Sequence, residues 1–183
     1  MKVGRRWDID APAPVRRAAR RPLSVASQRA LTRALHTRSL EGLTGQLRAR
    51  TAERLRLLRT ADDPAGLLVD WWAGRAPTEL DGGSNLVVHA IAGNKERVWS
   101  VLHRPRREYL RYPSTLARVV RDERAIHGLT RTELAGLAGL AGVDHRLVVD
   151  IERAALLHDL IGLRKVLRAL SVEPTALPPM DLR

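Results

Sequence analysis

Arginine is the residue type with the most chemistry to offer in this chain of 183 residues, which carries 32 Lys+Arg against 20 Asp+Glu. Arg5-Arg6, Arg16-Arg17 and Arg20-Arg21 come as pairs near the start, and guanidinium forks suit phosphate oxygens. Nothing else points as clearly to a reaction. The six histidines, at positions 36, 89, 103, 127, 145 and 158, never fall at a metal-binding spacing. No glycine-rich phosphate loop follows a strand pattern, and no nucleophile has an evident base. Cysteine is absent, which removes disulfides and thiolate metal sites and suits a reducing cytosol. The expectation is a non-enzyme with no metal and no cofactor.

The net charge of +12 is uneven. Residues 113–183 hold 10 basic and 9 acidic side chains, close to neutral, whereas residues 1–112 hold 22 and 11. Long-range attraction to a polyanion must therefore come from the N-terminal half. The plain alternative is that arginine solubilises an Ala/Leu-rich helical protein. No apolar stretch follows the charged N-terminus, so no leader peptide is expected; a cytoplasmic, nucleoid-associated protein without membrane contact fits this composition.

These groups need elements to position them. Residues 1–22 mix Arg pairs with "APAP" and show no apolar periodicity, which predicts a basic flexible arm whose Arg16, Arg17, Arg20 and Arg21 can track phosphates or enter a minor groove. Residues 23–103 are expected to form a mainly helical domain. Leu31, Ala34 and Leu35 recur at helical spacing, as do Leu43, Leu47, Leu55 and Leu58, with a break near Thr37–Glu41. Asp62-Asp63-Pro64 reads as a helix start, and that helix should run to Trp72, before Gly74, with Trp71 and Trp72 as core or interface anchors. Residues 80–84, "LDGGS", form a loop. The stretch "NLVVHAIAGNKERVWSVLHRP" fits two helices, with Val98, Trp99 and Leu102 on one face, or a hairpin turning at Gly93-Asn94, which would make the domain α+β. Residues 104–112 are expected as a basic linker, residues 113–175 as the second domain and residues 176–183 as a tail.

Inside the second domain, "LAGLAGLAG" at residues 134–142 is too short to cross a bilayer, which takes roughly 20 apolar residues, and it is bracketed by Glu133 and Asp144. Thr130 and Glu133 have capping-box spacing, so a helix starts near Arg131. Gly142 suits a left-handed stop, and Asp144 can cap a following helix from His145 to Arg153. Leu134, Leu137, Ala138 and Ala141 would face the interior from the first helix, and Val148 and Ile151 from the second. The unit is helix, short turn, helix.

Residues 114–172 present "VVRDERAIHGLT", "TELAGLAG", "AGVDHRLVVDIER" and "LIGLRKVLRALSV" in order, and this segment resembles the Xre family of helix-turn-helix DNA-binding proteins, in its HipB-like antitoxin and phage-repressor branch. The resemblance implies an Xre-type helix-turn-helix bundle for this part of the chain, so that the expected fold is mainly α, with the N-terminal domain, helical or α+β, preceding that bundle. It also implies a homodimer on double-stranded operator DNA, acting as a repressor, with a toxin protein as a further partner in the antitoxin case. His145, Arg146, Val149 and Asp150 would face the major groove: Arg146 bonding guanine, Asp150 cytosine N4, Val149 a thymine methyl and His145 a base or phosphate. Arg131 would join them on DNA, and Arg124 would pair with Glu152 to brace the helices. The segment departs from the family pattern by one surplus Leu-Ala-Gly, which lengthens the second helix or loosens the turn, by the lack of a glycine in "AALLHD", and by a third helix poor in Gln, Asn and Ser. Two alternatives stand beside an operator-reading regulator. One is a toxin-neutralising or other protein-interaction module; the other is a basic architectural DNA binder without sequence preference.

Overall fold

The computed structural model describes residues 21–78, 82–139 and 145–179. Within them the chain is mainly helical, so the coarse fold expectation holds. Helix α1 (Val25–Thr37) starts at Ser24, whose side chain accepts from Ser27 N, and ends at Arg38 in the left-handed region, φ 52°. After a turn around Gly42, α2 (Gly45–Thr60) follows. Asp63 caps α3 (Pro64–Trp71) by accepting from Gly66 N at 3.1 Å. Trp71 and Trp72 are core residues, each 4% exposed, and Trp71 O accepts from Leu23 N at 2.9 Å.

The stretch open to two readings is helical, as α4 (Ser84–Ile91) and α5 (Lys95–His103). Gly93, at φ 77°, makes the turn between them, a backbone state that glycine adopts without a Cβ penalty. Trp99 departs from expectation. Val98 and Leu102 are buried, but Trp99 is half exposed and stacks on His103 at 4.0 Å between ring centroids.

The segment expected as a basic linker is a strand instead. In β1 (Arg106–Tyr109) the Arg106 side chain is buried, and the following Leu110 is fully buried. Helices α6 (Pro113–His127), α7 (Arg131–Leu137), α8 (Arg146–Glu152) and α9 (Leu160–Ala169) follow, and β2 (Val172–Ala176) lies parallel to β1. The register runs from Arg106 opposite Val172 to Tyr109 opposite Ala176, with an irregularity between Glu108 and Tyr109. A parallel pair needs a long crossover, and α6 to α9 supply it. The expected C-terminal tail thus begins inside β2, and Pro178 beyond it is buried.

Three further expectations change in the helical pair. Thr130 and Glu133 form the capping box as the spacing predicts. However, α7 stops at Leu137, and Gly139, at φ 69°, takes the left-handed position assigned to Gly142. Ala141, Gly142 and Asp144 lie outside the described residues, as does the rest of the turn from 140 to 144. Leu137 is mostly exposed: Leu134, Ala135 and Ala138 span about 100° of the helix circumference, and a 3.6-residue turn puts Leu137 outside that arc. Helix α8 spans Arg146–Glu152, one residue inside each end of the expected His145–Arg153, and His145 rather than Asp144 is its N-cap.

Two apolar cores form. One gathers Leu31, Leu55, Leu58, Leu68, Trp71 and Val98; the other gathers Leu116, Val120, Leu134, Val148, Ile151 and Leu163. Helix α6 belongs to both, giving Ile126 to the first and Leu116, Val119 and Val120 to the second. Its two buried acids tie the halves together. Asp122 accepts from Ser39 Oγ at 2.8 Å, Leu40 N at 3.0 Å and Arg48 at 2.7 Å, while Glu123 takes Arg59 at 2.7 Å and Arg106 at 3.0 Å. Removing either acid would leave buried donors without acceptors.

Candidate nucleic-acid interface

The local chain dictates how α8 is held. Val148 and Ile151 seat its inner face in the core, which leaves its start outward: His145 and Arg146 are exposed, and Val149 and Asp150 half-buried. At its far end Glu152, with a side chain only 2% exposed, is gripped from two sides. Arg124 Nε of α6 donates to Oε1 at 2.6 Å, and Arg131 Nε of α7 donates to Oε2 at 2.7 Å. Arg124 Nη1 also donates to Leu129 O at 2.8 Å, bracing the turn between α6 and α7. One carboxylate thus fixes three helices relative to one another.

The start of α7 is set separately. Thr130 N donates to Glu133 Oε2 at 2.6 Å and Glu133 N donates to Thr130 Oγ1 at 3.1 Å. The bond from the Thr130 backbone, followed by that from its side chain, holds the Glu133 carboxyl below the usual range.

Of the residues expected on DNA, His145, Arg146, Val149 and Asp150 come together on one short helix. Arg131 is bonded to Glu152 at the far end of that helix, and its side chain keeps 49% exposure. Arg124 and Glu152, expected as a pair, are bonded. Arg21 is exposed, and Arg16, Arg17 and Arg20 lie outside the described residues.

A feature not singled out from the sequence is a cleft of about 700 Å³ alongside α6. Arg48, Arg118, Arg121, Arg124 and Arg131 line it with Glu41, Asp122 and Glu152. The three-residue spacing of Arg118, Arg121 and Arg124 was the available signal, since residues three apart share a helix face. Chemically, the α8 face offers Arg146 as a forked donor, Asp150 as an acceptor and Val149 as an apolar contact, the complement needed at base edges.

Among the described residues no group of three His, Cys, Asp or Glu could hold a metal ion, and no helix is long and apolar enough to cross a membrane. Compared with known proteins, the chain matches no family model, no curated protein and no solved structure.

Proposed function

We propose that this chain is a DNA-binding transcriptional regulator, a repressor of the Xre helix-turn-helix kind that binds its operator as a homodimer and reads bases with α8. What supports this reading most is the double grip of Arg124 and Arg131 on Glu152, which sets the pitch of a helix whose outward start carries His145 and Arg146. A reading head must be held rigidly to discriminate bases. The charge asymmetry complements it: 22 of the 32 basic residues precede Pro113, so phosphate attraction and base readout fall to different parts of the chain.

The test is selection of a preferred duplex from a random pool, followed by anisotropy titration with Arg146→Ala. Loss of a base contact costs ~1–3 kcal/mol and relaxes preference at one base pair, while loss of a phosphate contact weakens all sequences alike. If neither affinity nor selectivity changes, α8 is not the reading head. The same charge asymmetry also favours a second reading, a basic architectural binder. A steep salt dependence with no preferred duplex in the pool would select that one.

A further inference from the structure

We propose that the cavity enclosed by α2, β1, α6 and the end of α9 is a binding site for a small organic anion, one oxyanionic head on an apolar body. The cavity measures about 530 Å³, within the range of small-molecule sites. Five arginines line it, Arg38, Arg56, Arg59, Arg104 and Arg106, against a single carboxylate, Glu123. Both oxygens of that carboxylate are engaged, Oε2 by Arg59 at 2.7 Å and Oε1 by Arg106 at 3.0 Å. Arg38 donates to neutral acceptors, the carbonyls of Arg104 at 2.6 Å and Pro105 at 3.2 Å. Arg56 also pairs with Glu53 at 2.6 Å and Arg106 with Glu108 at 3.1 Å, so the excess positive charge of the wall rests on Arg38 and Arg104.

Two further observations converge on this cavity. His127 Nε2, which lines it, is buried, has no hydrogen-bond partner among the described residues and lies 4.0 Å from Glu123 Oε2. Burial, opposed by Glu123 and reinforced by the charges of Arg59, Arg106 and Arg104, holds the Arg38 guanidinium below its ordinary value. A bound oxyanion would relieve that repulsion, and guanidinium forks donate to carboxylate and phosphate alike. Leu102, Ile126 and Leu170 supply an apolar wall for the body of the ligand.

This site does not depend on α8 reading DNA. Isothermal titration of the full chain with phenyl phosphate, benzoate, inorganic phosphate and benzyl alcohol tests it. At least one aryl anion should bind about tenfold or more tightly than both inorganic phosphate and benzyl alcohol, and the better of the two identifies the head group. Arg38→Ala and Arg104→Ala should each weaken that binding by about tenfold or more, with Arg56→Ala standing in if Arg38→Ala does not fold. Arg107→Ala should leave it unchanged, because Arg107 is exposed and paired with Glu173 at 2.9 Å. Failure of both aryl anions to bind, or binding indifferent to these arginines, overturns the proposal. Displacement of the bound aryl anion by random duplex DNA, with the same dependence on Arg104, would assign the cavity to a backbone phosphate and overturn it equally.

Discussion

Glu152 and Arg131 differ in what their removal strands. With Glu152 replaced by Gln, two guanidiniums lose their carboxylate at a site where the acid side chain is 2% exposed, and breaking a buried pair from one side costs about 3 kcal/mol. Arg131→Ala removes a half-exposed partner and should cost about 1 kcal/mol or less. Urea denaturation of the full chain checks both; equal losses would mean that the grip on Glu152 is not what holds α8. The Arg124–Glu152 half of this arrangement was legible through family resemblance. Arg131 was not, because its distance from Glu152 depends on how the turn folds back. His127 carries a second residue-scale consequence. Burial lowers its pKa below the ordinary 6.5; Glu123 opposes this and Arg59 adds to it. The folded state therefore binds fewer protons than the unfolded state once pH falls through 6.5, so stability present above that value is lost below it. His127→Gln should reduce the drop in melting temperature between about pH 7.5 and about pH 5.5. An undiminished drop would assign the acid sensitivity to other groups.

At the scale of elements, the repeated tripeptide assigns opposite roles to the same residue. Gly136 lies inside α7, where an added Cβ would meet open space, whereas Gly139 sits beyond the helix end at φ 69°. Gly136→Ala should stabilise by about 0.5–1 kcal/mol through helix propensity, and Gly139→Ala should destabilise by about 1 kcal/mol through backbone strain. Thermal unfolding of the two variants reads the signs directly, and a stabilising Gly139→Ala would place the helix end elsewhere. Helix boundaries of this kind were legible where a cap advertised them, at Asp63 and Thr130, and ambiguous where three identical glycines competed as stops. Strand β1 was not legible at all: "RREY" has no apolar alternation, and its partner lies 66 positions along the chain. Periodicity also misassigned Leu137 and Trp99, because a 3.6-residue repeat locates a face without fixing how wide the buried arc is.

For the molecule as a whole, the division of charge was plain in the sequence, whereas the sharing of α6 between two cores was not, since it rests on the packing of distant segments. Deleting residues 2–21 removes seven basic and two acidic groups and leaves both described cores intact. DNA affinity should fall, and the slope of log affinity against log salt should flatten by roughly 0.9 for each phosphate that these residues neutralise in the full chain; an unchanged slope would show that they neutralise none. The pairing of β1 with β2 bears on how the chain responds to mechanical tension. Because the two strands run the same way, a pull through the chain ends draws Arg106 and Ala176 in opposite directions along the strand axis. The backbone bonds between the strands are then loaded together, like a lap joint, rather than one after another, like an opening seam. Everything between Leu110 and Ser171, α8 included, is slack behind that joint and carries no load until it slips.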